Sequence, residues 1–166
     1  LSEQDNDLLE FTRTMMWLRR DHPVLRRRRF FTGDAGHGGE SELGEIEWLT
    51  PAGESMTDQD WTTWYARAMM VFLNGEAIAE PDERGQRIVD NSFLVLINAS
   101  EEDITFTLPG EGYAPTWKVA LDTAPAVDGD SDPVLAADET VVVEARSMLF
   151  LMDAPESDAT TERHQR

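Results

Sequence analysis

An antiparallel β-sandwich preceded by one amphipathic helix is the fold that this 166-residue sequence predicts. Three features predict it. Between Gly44 and Met152, seven short strand-like segments alternate with turn-rich stretches, the spacing of a sandwich. Only the first 21 residues carry a clear apolar stripe of helical period. Hydrophobic residues make up 40% of the chain, with five Trp and seven Phe. A chain of this length can therefore hide about 70% of its unfolded surface around a real core.

From Asp7 to Asp21, Leu8, Phe11, Met15 and Leu18 recur at helical spacing with Leu9 and Met16 alongside, which predicts the amphipathic helix. Asp5, Asn6 or Asp7 supplies its cap. Pro23 has no N–H to continue the ladder and disfavours helical backbone at His22, so the helix should end near Asp21. Val24-Leu25 and Phe30-Phe31 bracket Arg26-Arg27-Arg28-Arg29, after which Gly33-Asp34-Ala35-Gly36-His37-Gly38-Gly39 reads as a flexible loop. That loop has neither the preceding strand nor the following Lys-Ser/Thr that a phosphate cradle needs.

At Gly44 the period changes to two. Ile46 and Trp48 point one way, Glu45 and Glu47 the other, and Pro51-Ala52-Gly53-Glu54 turns the chain. Further strands are expected at 66–74, 92–98, 104–108, 116–121, 140–145 and 148–152, parted by turn residues such as Asn74-Gly75 and Pro109-Gly110. Trp61–Tyr65 reads as a loop or short turn running into a strand, although Trp61, Trp64, Ala68 and Phe72 also fit a helix. The tail, 154–166, is polar and aperiodic and is expected to be disordered.

The formal charge is −19, from 14 Lys and Arg against 33 Asp and Glu. Such a field repels phosphates and argues against a nucleic-acid partner. Residues 1–30 hold seven Arg against five acids, whereas the other 136 hold seven bases against 28 acids, so the two parts differ in role. Arg13, Arg19 and Arg20 already serve as the polar face of the helix. The absence of cysteine excludes disulfides, thiolate metal sites and cysteine nucleophiles. No apolar run approaches the roughly 20 residues of a membrane span, and Leu1-Ser2-Glu3-Gln4-Asp5 is unlike a secretion signal. Leu1, standing where an initiator Met is expected, suggests a processed product or a piece of a longer polypeptide.

No catalytic constellation and no cofactor site stand out. His22, His37 and His164 are scattered, with no G-x-S-x-G serine and no H-E-x-x-H spacing. Asp58 and Asp60 beside Trp61 have the residue types of a sugar-cleaving carboxylate pair, but Thr57-Asp58-Gln59-Asp60 reads as a turn or N-cap. Asp128, Asp130, Asp132 and Glu139 match positions 1, 3, 5 and 12 of a calcium loop. Pro133 falls where that loop wants glycine, and the flanks read as strands, so a solvated loop is the default. Asn98-Ala99-Ser100 fits a glycosylation acceptor and carries no weight without a secretion signal. Of the five tryptophans, Trp17 lies on the helix and Trp48 and Trp117 within strands, which predicts core. Trp61 and Trp64 are left as candidate carbohydrate contacts, because a flat indole suits the apolar face of a glucose ring.

The segments Leu8-Leu9-Glu10-Phe11 through Leu18-Arg19-Arg20-Asp21-His22-Pro23-Val24-Leu25 and Phe30-Phe31-Thr32-Gly33 resemble the last barrel helix and exit segment of α-amylase superfamily enzymes. Ile46-Glu47-Trp48-Leu49, Gly53-Glu54-Ser55-Met56, Asp60-Trp61, Val71-Phe72-Leu73-Asn74-Gly75, Asp90–Ala99 and Trp117–Thr123 are similar to the C-terminal region of isoamylase-type glycogen debranching enzymes.

The resemblance implies a (β/α)8 catalytic barrel, of which residues 1–32 would be the last helix and exit segment. The loop 33–43 would then lead to a C-terminal β-sandwich at 44–153. The family's catalytic carboxylates lie on barrel strands before Leu1, so none is carried over and this piece is expected to be non-catalytic. The implied parent hydrolyses α-1,6 branch linkages of glycogen or limit dextrin by a retaining two-carboxylate mechanism in the cytoplasm. Trehalose-forming and branching relatives carry similar sandwiches. The helix's apolar stripe should fold back on the sandwich or pair with another chain, and the run Arg26–Arg29 suits acidic neighbours. Two alternatives are an α-glucan-binding module using Trp61 and Trp64, and a free-standing interaction protein whose Arg-rich helix docks a partner.

Overall fold

The computed structural model describes residues 3–31, 43–63, 67–124 and 133–154. Helix α1 (Glu3–Asp21) ends where Pro23 requires, and a 3-10 turn follows at Pro23–Arg26. The helix starts one turn before the first apolar residue of its stripe, because Glu3-Gln4-Asp5-Asn6 contains nothing to break it. The strands described are β1 (Ile46–Leu49), β2 (Ala68–Leu73), β3 (Phe93–Asn98), β4 (Ile104–Thr107), β5 (Thr116–Asp122), β6 (Val134–Ala136), β7 (Thr140–Val143) and β8 (Ser147–Asp153), with a short helix α2 (Asp58–Thr62) between β1 and β2. The sequence reading missed β6, since three residues are too few to display an alternation.

Six strands form one antiparallel sheet in the order β1-β2-β3-β8-β5-β6, and β4 pairs with β7 in a second. Register decides which side chains meet. Met70 lies opposite Leu96 and Leu96 opposite Leu149, while Phe72 lies opposite Leu94 and Leu94 opposite Leu151, so these six share one face. The two-stranded sheet roofs that face with Phe106 and Val143. Leu49, Leu108 and the fully buried Trp117 complete the same core.

A polar tie joins the two sheets. Asn98, at the end of β3 and 1% exposed, has Nδ2 at 2.9, 3.0 and 3.0 Å from the carbonyls of Glu102, Val143 and Glu144. Its Oδ1 accepts the Ser100 amide and hydroxyl at 2.9 and 2.7 Å. The residue is thus committed to the fold and is no glycosylation acceptor in the folded chain. Asn98→Ala removes the donor from buried carbonyls and should cost about 2 kcal/mol. A urea melt checks this, with the midpoint lowered and the slope unchanged.

The opposite face of the large sheet carries a smaller cluster where Phe93, Leu73, Met152 and Ala120 meet Leu18 of α1 and Val24 and Leu25 of the 3-10 turn. Beyond it run two further apolar rows, Trp48, Val71, Val95 and Phe150, then Met69, Ile97 and Met148. Val95 is buried in the middle of its row, its sheet neighbours are half-buried, and Trp48 at the edge is 38% exposed.

Candidate functional site

Two surfaces stand out, and the first is an aromatic corner. Thr57 precedes α2 and donates its amide and its hydroxyl to Asp60 Oδ2, each at 2.7 Å, while Asp60 returns its amide to the Thr57 carbonyl at 3.0 Å. This clasp fixes the entry of α2 and leaves Trp61 51% exposed. The Trp61 ring meets Trp48 edge to face, with centroids 5.2 Å apart and planes inclined at 74°. Asp58, exposed, stands one turn before Trp61 on the same side of α2.

Hydrogen bonds from the Thr57 hydroxyl and then from its amide hold the Asp60 carboxyl below the usual carboxylate range. A depressed folded value means that the clasp stabilises α2 above the pH where an unfolded Asp ionises and is lost as pH falls through the folded value. Acidification below about pH 4 should therefore change the fluorescence of the Trp48–Trp61 corner. Thr57→Ala should move that change to higher pH. The carboxylate pair considered from sequence is thereby divided, for Asp60 is engaged in the capping clasp with Thr57, whereas Asp58 is exposed ahead of Trp61.

The second surface is α1. Its C-terminal end is fastened to the sandwich by the strap that follows it. His22 Nδ1 lies 2.8 Å from Asp90 Oδ1, the Val24 amide donates to Asp90 Oδ2 at 2.9 Å, and the His22 ring stands edge-on to Phe93 at 4.9 Å. Arg27 then plunges inward. Its guanidinium donates to the carbonyls of Asn74 and Ala77 at 2.7 and 3.2 Å, faces Glu45 at 3.5 Å with both side chains about 8% exposed, and lies over Phe31. Burial pushes its pKa below the ordinary arginine value, while Glu45 and Glu80 pull it back up. The Arg28 amide donates to the Glu80 carboxylate at 3.0 Å.

Ahead of this strap the helix stands free of the core. Leu8 is 66% exposed, Met16 66% and Trp17 61%, with Leu9 and Met15 also open. Of the stripe, Leu18 packs against the sandwich and Phe11 is half-buried. Arg13, Arg19, Arg20 and Arg26 surround Met16 and Trp17, and the Arg20 guanidinium lies 5.8 Å from the Trp17 ring centre.

Two tryptophans expected in the core are therefore outside it. Trp17 is 61% exposed on α1. Trp48 shares with Ile46 the outer face of β1, because Leu49, two residues after Glu47, is the side chain that reaches the interior. Trp117 is buried as expected. Trp64, His37, His164, Asp128, Asp130 and Asp132 lie outside the described residues. Glu139 is described, and its carboxylate accepts the Ala136 amide at 2.8 Å within the turn joining β6 to β7. Among the described residues no cluster of His, Asp and Glu is placed to hold a metal ion, and no helix is long and apolar enough to cross a membrane.

These elements make an antiparallel β-sandwich domain entered by an amphipathic helix. Residues 45–154 match the family described as isoamylase, C-terminal, and the chain belongs to that family. It is 48% identical over 151 residues, 91% of its own length and 21% of theirs, to proteins of Mycobacterium tuberculosis and Mycobacterium bovis named glycogen operon protein GlgX homolog. A Haemophilus influenzae protein of the same name is 26% identical over 125 residues, 74% of this chain and 15% of that one. The chain spans about a fifth of the length of the first two relatives.

Proposed function

We propose that this chain is the non-catalytic C-terminal part of a glycogen debranching polypeptide. The parent hydrolyses α-1,6 branch linkages of glycogen or its limit dextrin in the cytoplasm, and this part packs against and steadies its catalytic (β/α)8 barrel. Within that reading α1 and the strap belong to the barrel, and residues from Gly44 onward form the sandwich that leans on it. The observation that carries the reading is the exposed stripe Leu8, Leu9, Met15 and Met16 on a helix anchored at one end only. Apolar surface of that extent on a folded domain marks an interface, and at about 25 cal/mol per Å² its burial is a strong drive to associate. The missing surface is supplied by the four-fifths of such a polypeptide that the relatives carry beyond the matched region.

The test is to read the gene upstream of Leu1 and express the encoded polypeptide separately. It should copurify with this chain, Met15→Asp with Met16→Asp should abolish copurification, and only the assembled pair should release malto-oligosaccharides from limit dextrin. Release of branch chains by this chain alone, or a reading frame that begins at Leu1, would overturn the proposal.

A further inference from the structure

We infer that the Trp48–Trp61 corner is a non-catalytic contact for an α-1,4-linked glucan chain. The ligand class rests on the function proposed above, but the site rests on its own geometry. Tryptophan seldom leaves half its surface in water unless something is meant to cover it, and here Trp61 is 51% and Trp48 38% exposed, side by side. Their planes are inclined at 74° with centroids 5.2 Å apart. A flat platform matches one pyranose ring. An α-1,4 chain curves, so neighbouring rings present their apolar C–H faces at an angle, and two inclined indoles can receive two successive sugars.

The rim has the matching polar character. Asp58, Gln59 and Thr62, all exposed on the same short helix as Trp61, carry carboxylate, amide and hydroxyl groups able to bond sugar hydroxyls. The outer rows of the large sheet differ in kind, since Met69, Val71, Val95, Ile97 and Phe150 are uniformly apolar and more buried, which suits a protein surface. The corner lies at the β1 edge of that sheet, whereas α1 packs toward β5. Occupation of the helix side by a barrel therefore leaves the corner accessible. Asp60 is engaged in its clasp with Thr57, and the indole faces are the part of the corner that holds the chain.

The experiment titrates the 166-residue chain with maltoheptaose and with β-cyclodextrin, following tryptophan fluorescence and heat of binding. Trp61→Ala should weaken both at least about tenfold and Trp48→Phe several-fold, consistent with the loss of one stacking plane. Trp17→Ala, at a tryptophan still more exposed on α1, should leave binding unchanged, and thermal melts of all three should stay cooperative. Absence of maltoheptaose binding, equal loss in Trp17→Ala, or equal affinity for the β-linked cellohexaose would overturn the inference. So would a Trp61→Ala chain that binds maltoheptaose normally yet no longer copurifies with the upstream polypeptide, for then the corner is a protein contact. If the assembled pair debranches limit dextrin while maltoheptaose ignores the corner, this inference fails alone. If the pair is inactive on every glucan, the function proposed above fails.

Discussion

A Gly75→Ala chain should lose about 4 kcal/mol of stability or fail to accumulate in folded form, because a Cβ at this position would be driven into the carbonyl oxygens of Asp90 and Asn91. Those oxygens belong to backbone, which cannot swing aside as a side-chain tip can. Gly75 is also bonded where it stands, its amide donating to Ser92 Oγ at 3.1 Å and its carbonyl accepting the Asp90 amide at 3.1 Å. A forced shift therefore displaces Asp90, and with it the carboxylate that holds His22 and the Val24 amide. Differential scanning calorimetry should show a melting temperature lower by about 10 °C. Hydrogen exchange should show the loosened protection reaching Val24. A melt within 2 °C of the parent chain would refute the argument.

Arg27→Met should cost about 3–5 kcal/mol, the usual penalty for taking one partner out of a buried ion pair. Methionine fills much of the same volume, so the loss is chiefly electrostatic. It deprives Glu45 of the guanidinium that it faces and the carbonyls of Asn74 and Ala77 of their donor. Adding Glu45→Gln should recover part of the cost, about 1–2 kcal/mol, and no more, since the two carbonyls remain without it. Urea denaturation of the four members of this cycle gives the coupling directly. Additivity of the two changes would show that the pair contributes nothing as a pair.

Much of the fold was legible because its signals are local. The stripe of α1, the block at Pro23 and the apolar run of β3 each lie within a few residues of one another. The side of β1 that faces inward was not legible, since alternation reveals two faces without saying which is covered. For Trp48 that is settled by β2, pairing Val71 with it from 23 residues away. The strap was hidden for the same reason, as His22 and Val24 find Asp90 across 68 and 66 residues.

The arginine run shows the limit most clearly. Read as a surface for acidic neighbours, Arg26–Arg29 divides in the fold, with the Arg27 side chain buried and Arg26, Arg28 and Arg29 exposed. Of the candidate site, Trp61 could be found from composition and position, because an indole beside a polar turn has little core to enter. Its partner Trp48 required the tertiary structure.

Among the described residues, six strands set against two leave part of the outer surface of the large sheet without a second layer. A body built this way would be expected to stick to its own copies through that surface. Its charge of −19 opposes that. Mutual repulsion keeps copies apart over the roughly 8 Å that physiological salt permits. The colloidal behaviour of the separated domain is thus a contest between ionic repulsion and oily adhesion, and it should shift toward clustering as salt rises or as pH falls toward 4.3.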